Sequence, residues 1–180
     1  MEVETVTFTP VLGAAAADPE LRDQLLDTWV RVTDAGGAVG FVAPADRRLV
    51  AEMLDSHLSR VAEGRDALGV LRRGGQHGPA AGMGILAASA APLRAHWRTL
   101  LRLMVDPDLQ GIGAGRMLLE GLHEMGRKLG LEFLCLSVRG GLGIEGFYGR
   151  VGYEVYGRNP RAIRVAPGDE RDEILMRYEL

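Results

Sequence analysis

The 180 residues predict one mixed α/β domain, spanning 1–180, with about seven strands and about four helices. Three observations lead there. Short alternating or apolar runs bounded by Gly, Pro and Asp recur along the chain. Two long amphipathic patterns follow the first of these runs, and a glycine-rich turn joins an apolar strand to a third helix. The chain is long enough to bury a sizeable core and shows no internal repeat, low-complexity segment or linker.

The elements follow in order. Val3 to Thr9 alternates as a strand. Asp18-Pro19 supplies an N-cap and a proline at the first helical position, and Leu21, Leu25, Trp29 and Val32 then recur at helical spacing until Gly36-Gly37. After AVGFVAP, a second helix carries Val50, Leu54, His57 and Val61 on one face and stops near Gly64. ALGVLRR and AAGMGILAAS are strands separated by the turn GGQHGP, and WRTLLRLMV (97–105) is another. Leu118, Leu122, Met125 and Leu129 mark the buried stripe of a helix beginning at Gly113. EFLCLSV (132–138) is nearly continuous in its apolar character, as for a strand covered on both faces. A short helix near 144–151 precedes strands around 153–157 and 173–179.

Composition excludes several functions. With 47% hydrophobic residues, 25% charged residues and a net charge of −3, the chain lacks the basic excess of a nucleic-acid binder. No run reaches the roughly 18 apolar residues of a membrane span, and the N-terminus lacks the pattern of a signal peptide, so a cytoplasmic location is expected. Cys135 stands alone and forms no intrachain disulfide. His57, His77, His96 and His123 are scattered at spacings that suit no helical metal pair, so no metal is expected.

Two glycine-rich turns compete as phosphate sites. GLGIEG (141–146) spells the nominal dinucleotide pattern, but only 34 residues follow it, too few for the further βαβ units and the acidic residue about 20 positions on that such a fold requires. The phosphate-loop motif G-x-x-x-x-G-K-[ST] is absent. The other turn, Gln110-Gly111-Ile112-Gly113-Ala114-Gly115, places small residues where backbone N–H groups and a helix dipole meet an anion, with Arg116 able to add a positive side chain.

The stretch LRLMVDPDLQGIGAGRMLLEGL resembles motif A of the GNAT N-acetyltransferase superfamily, an apolar strand ending in V-x-P followed by Q/R-x-x-G-x-G/A. Val105, Pro107, Gln110, Gly113 and Gly115 occupy the matching positions. GFYGRVGYE is similar to motif B through Phe147, Tyr148, Gly152 and Tyr153. The element order matches as well, so the resemblance covers essentially the whole chain. GGAVGF, LMV.P and the glycine spacing around Tyr148 further resemble the tabtoxin-resistance acetyltransferases within that superfamily. Two positions depart: Gly141 stands where many members carry an asparagine, and Ile144 where an alanine is common.

The resemblance implies a mostly antiparallel central sheet whose two parallel strands splay at the cofactor site. Acetyl-CoA is then the acyl donor. Backbone at Leu103, Met104 and Val105 meets its pantetheine arm, N–H groups from Ile112, Gly113, Ala114, Gly115 and Arg116 hold its pyrophosphate, and Gln110, Gly111, Phe147 and Tyr148 complete the cofactor-binding set. The acceptor implied is the primary amine of a small molecule that attacks the thioester directly, with neither nucleic acid nor membrane as partner and a homodimer compatible. A phenol of pKa about 10 can protonate a departing thiolate of pKa about 8.5, which makes Tyr148 the acid. A non-catalytic coenzyme A sensor would keep the 110–115 loop without needing that tyrosine.

The base is not legible. His57 lies on an otherwise apolar stripe and reads as a core histidine, whereas His96 precedes the motif A strand and could face the acceptor. Thr99 and Arg102 are not bases, Glu145 reads as a solvated helix carboxylate, and Cys135 reads as buried filler. Acceptor choice is expected to involve Trp29, Phe41, His57, Trp97, Thr99, Tyr156 and the acidic run Asp169, Glu170, Asp172 and Glu173, although that run reads more simply as a solvated hairpin tip.

Overall fold

The alternating N-terminal run forms β1 (Val6–Val11), three residues later than expected at its start; Val3 and Glu4 of the predicted strand lie outside residues 5–180, which the computed structural model describes. Asp18 caps α1 (Pro19–Asp34) by accepting from the Glu20 N–H at 3.0 Å. Asp46 does the same for α2 (Arg47–Ala62) through the N–H groups of Arg48 and Leu49. β2 (Ala67–Arg73), β3 (Ala80–Ala88) and β4 (Trp97–Val105) follow as an antiparallel meander, and α3 (Ala114–Lys128) then returns the chain across the sheet. β5 (Phe133–Arg139), α4 (Ile144–Gly149), β6 (Glu154–Ala166) and β7 (Asp169–Glu179) complete the described chain.

The seven strands lie in the order β1-β2-β3-β4-β5-β7-β6, and every neighbouring pair is antiparallel except β4 with β5. Two cores flank this sheet. On one face Trp29, Leu25, Leu54, Met83 and Ile85 are fully buried beneath α1 and α2. On the other, Leu118, Leu119 and Leu122 of α3 pack on the sheet together with Tyr148 and Tyr153. α3 sits close because glycine lies under it: a Cβ on Gly84 would come within 2.5 Å of the Leu122 side chain, and one on Gly69 within 2.8 Å. Removing the fully buried Leu122 side chain by Leu122→Ala is a change of the class that costs about 2–5 kcal/mol.

Three expectations need correction. The strand at 132–138 is not covered on both faces: Leu134, Leu136 and Val138 are buried under α3 and α4, while Cys135 is half-buried and Ser137 exposed on the other side. Leu129 does not continue the buried stripe of α3; it is the C-cap and 39% exposed. The last two strands are far longer than 153–157 and 173–179, forming a hairpin of 13 and 11 residues. Polar exposed strands carry no apolar alternation, so the sequence pattern under-reports them.

Candidate active site

The parallel pair is where the sheet opens. β4 and β5 are in register only at Trp97↔Phe133, Arg98↔Leu134 and Thr99↔Cys135, so the edge of β4 from Leu100 to Val105 runs on without β5 beside it. A β-bulge bends β4 at the same place: Met83 faces Met104 and Ile85 faces Leu101, leaving Arg102 and Leu103 opposite Gly84 alone. Arg102 takes φ 55, a left-handed conformation that costs a non-glycine residue roughly 1–3 kcal/mol. Leu103, Met104 and Val105 therefore form a free, bent strand edge facing a gap.

The chain beyond β4 is pinned before it reaches the glycines. Buried Asp106 accepts from Arg31 Nη1 at 2.6 Å and lies 3.2 Å from Arg73 Nη2, and its other bond, from the Asp108 N–H, closes a short 3-10 turn over Pro107–Leu109. Gln110, Gly111, Ile112 and Gly113 then run exposed to the start of α3. Gly113 is the N-cap at φ 84 with no side chain to cap the helix, and Gly111 has φ 81. Added Cβ atoms at either glycine would meet nothing within 4 Å, so these glycines serve backbone conformation and outside space rather than internal packing. The loop and first helical turn thus present N–H groups of 111–116 together with the positive end of a 15-residue helix. Ala114 is buried and anchors the turn, and a Cβ added at Gly115 would lie at ordinary contact distance, 3.6 Å, from the Phe147 ring. The Arg116 side chain bridges to Glu120 at 2.7 Å instead of reaching toward the loop.

Phe147 and Tyr148 stand on α4, next to the end of β5. Tyr148 is only 7% exposed, edge-on to Phe147 at 5.1 Å and to Tyr153 at 5.4 Å. Burial pushes its phenol well above the ordinary tyrosine range, so it holds its proton at any working pH. Behind it the Tyr153 hydroxyl lies 3.1 Å from His123 Nε2, and the His123 ring stacks on Tyr178 at 4.0 Å. Burial, with a smaller push from Arg127, lowers His123 to about 4 and keeps it neutral. The sequence held no signal for this pair, since its members are 30 residues apart and meet only through packing.

The other candidate groups fall in different places. His96 is exposed beside the first paired residue of β4, at the closed end of the splay, edge-on to Phe133; it does not face the opening. Glu145 is not a solvated carboxylate: its Oε2 is buried and without a partner. The acidic run does begin at a hairpin tip, opening β7 straight after the turn at Pro167 and Gly168, but it is not simply solvated: Glu170 is paired with Arg161 and Arg164, Asp169 with Arg171, and Asp172 accepts from the Arg161 N–H at 3.1 Å. Cys135 is half-buried beside Tyr156, and burial raises its thiol. His57 stacks against Trp29 at 6.2 Å, as a core histidine does, with burial lowering it and leaving Nε2 without a partner. Phe41 meets the same Trp29 edge-on at 5.7 Å, and the Arg102 guanidinium lies 5.3 Å from its ring centre.

After Gly143 the chain forms α4 and an antiparallel hairpin, with no parallel strand and no βαβ unit, so GLGIEG opens no dinucleotide fold. No group of three or more His, Cys, Asp or Glu side chains among the described residues is placed to hold a metal. No helix among the described residues is long and apolar enough to cross a membrane.

The family model described as "Acetyltransferase (GNAT) domain" matches residues 73–162. No curated protein sequence matches the chain. Among solved structures, a GNAT-family acetyltransferase from Streptococcus pneumoniae is 17% identical, with TM-score 0.74 and coverage of 98% of this chain and 100% of that one. The ribosomal-protein-alanine N-acetyltransferase of Brucella melitensis is 19% identical at TM-score 0.72, covering 97% and 99%. An acetyltransferase from Salmonella typhimurium, solved with its cofactor acetyl-CoA, is 15% identical at TM-score 0.72, covering 99% and 95%. These likenesses show the fold, and the cofactor seen in the last is that protein's own.

Proposed function

This chain belongs to the GNAT acetyltransferase family and uses acetyl-CoA as its donor, and from that premise we propose that it moves the acetyl group directly to the primary amine of a small molecule. The observation that carries the reading is the bent, unpaired edge of β4 beside β5 with the bare start of α3 at its end. Pantetheine, an extended chain with amide groups, pairs with the Leu103–Val105 edge as a strand would. The pyrophosphate takes the N–H groups from Gly111 to Arg116, with Gln110 at the rim and Phe147 beside Gly115. This fixes the thioester in the splay.

The amine nitrogen attacks the thioester carbonyl carbon, and backbone N–H near Val105 receives the charge that develops on oxygen. The carbon–sulfur bond then breaks, and the sulfur takes a proton from the Tyr148 hydroxyl. Because that phenol is a weak acid when buried, it gives up its proton only as negative charge builds on sulfur. The ammonium proton leaves through water, which also returns a proton to Tyr148, since His96 lies at the closed end of the strand pair and His57 is packed on Trp29. Arginines already pair with Glu170 and Asp169, which leaves fewer free carboxylates for a cationic protein tail to meet.

The test is coenzyme A thiol release with a panel of small amines against a peptide panel bearing free N-termini. Turnover confined to small amines supports the reading. Turnover confined to peptides overturns its acceptor, and thiol release from neither overturns amine acetylation.

A further inference from the structure

Arg102 is a cation without an anion. No ion pair of its guanidinium exists among the described residues; its one hydrogen bond runs from Nη1 to the Val39 carbonyl at 3.2 Å, and its Nε is buried with no partner. The other part-buried arginines near it are answered differently. Arg60 forks onto Asp66 at 2.7 and 2.8 Å, and Asp66 also favours the charge on Arg98. Arg102 instead lies on Trp29, and the α1–α2 loop closes on it so tightly that a Cβ on Gly40 would overlap the guanidinium. A guanidinium stays charged at every working pH, so partial burial without a counter-charge is unfavourable unless something else supplies one.

Its position says what that could be. Arg102 is the bulge residue of β4, immediately before the Leu103–Val105 edge assigned to the donor, and its side chain turns to the α1 and α2 face. The donor's pyrophosphate site lies on the opposite, α3 side, at the end of β4. Resting on the acetyl-transfer reading above, we infer that Arg102 is the anion receptor of the acceptor site, and that the acceptor is an amine carrying a carboxylate, held fork to fork by the guanidinium that Trp29 and the Val39 carbonyl position. Planar guanidinium and planar carboxylate match through two parallel N–H···O bonds, which partial desolvation of the guanidinium strengthens. Binding the carboxylate on this face directs the amine toward the splay.

The experiment compares amino acids with their methyl esters and their decarboxylated amines, following thiol release with acetyl-CoA in wild type, Arg102→Gln and Arg102→Lys. Wild type is expected to prefer the acid to its ester by about 10²-fold in kcat/KM, mainly through KM. Arg102→Gln should bring that ratio to about 1, and Arg102→Lys should leave it in between, because an ammonium keeps the charge and loses the fork. Folding of each variant is checked by the rise in Tm on adding acetyl-CoA; if Arg102→Gln does not fold, the wild-type ratio and Arg102→Lys decide. Acids and esters used alike by wild type, or an undiminished ratio in a folded Arg102→Gln, would overturn the inference and leave amine acetylation standing. Thiol release from none of the three series would remove both.

Discussion

Two glycine turns lead from strands into helices, and locally they are near twins. Gly113 precedes α3 at φ 84 and Gly143 precedes α4 at φ 70, neither helped by a capping side chain. Their surroundings separate them. α3 runs for 15 residues, so its peptide dipoles add over about four turns, and its start lies beyond the unpaired edge of β4. α4 is a six-residue helix, and a Cβ on Gly141 in its approach would press on the Arg171 guanidinium. A glycine pattern therefore specifies a turn. Helix length and the space in front of it decide whether the turn can hold an anion, and α4 contributes a side chain instead.

The sharpest way to break this comparison is to substitute valine in both turns. In Gly113→Val a β-branched side chain must adopt positive φ and stand where the pyrophosphate approaches. Titration calorimetry should show acetyl-CoA affinity falling by about 10³-fold, whereas Gly143→Val should cost less than about 10-fold. Both variants should fold, since neither Cβ meets another atom within 4 Å. Equal losses would mean the two turns are equivalent after all.

In the proposed mechanism the second turn's contribution is chemical, so Tyr148→Phe should act on turnover and spare affinity. The ring packing survives and only the hydroxyl is lost. We expect kcat to fall by about 10²-fold with the acetyl-CoA dissociation constant within about a factor of two. Turnover within a factor of about two of wild type would make Tyr148 a packing residue only.

A smaller effect concerns how α3, the helix behind the first turn, is held. His123 on α3 is neutral in the folded protein with a pKa near 4, against about 6.5 when unfolded. Between those values the unfolded chain binds the proton and the folded chain does not, so stability falls as pH drops from about 6.5 toward 4. At pH 5 the loss from this residue should be about 2 kcal/mol, and His57, lowered by its own burial, adds in the same direction. Urea unfolding across that range should therefore show a shallower acid slope in His123→Gln than in wild type. An unchanged slope would show that His123 is not what acid attacks.

The sequence by itself determined the local elements and the turn chemistry. β2 and β4 begin and end where their apolar runs do, α1 starts at its Asp-Pro signal, and the glycines of 111–115 mark the turn into α3. Each of these follows from side chains within a few residues of one another, through alternation, capping or permitted φ. The outer part of the β6–β7 hairpin escaped because it is polar and carries Arg–acid pairs across the ladder, whereas the buried Ile174 and Met176 lie in the part that was expected. His96 was misplaced for a related cause: which end of a strand pair stays closed depends on partners far along the chain. The acidic run does start at a hairpin tip, and only the pairing of its strands shows which of its carboxylates already have arginines. Only the tertiary structure decided that β4 and β5 part after Thr99, that His123 meets Tyr153, and that Arg102 is turned out of a bulge onto Trp29 with no acid to meet it. Pairing register and burial are set by the whole sheet and its two cores, and no window of sequence contains them.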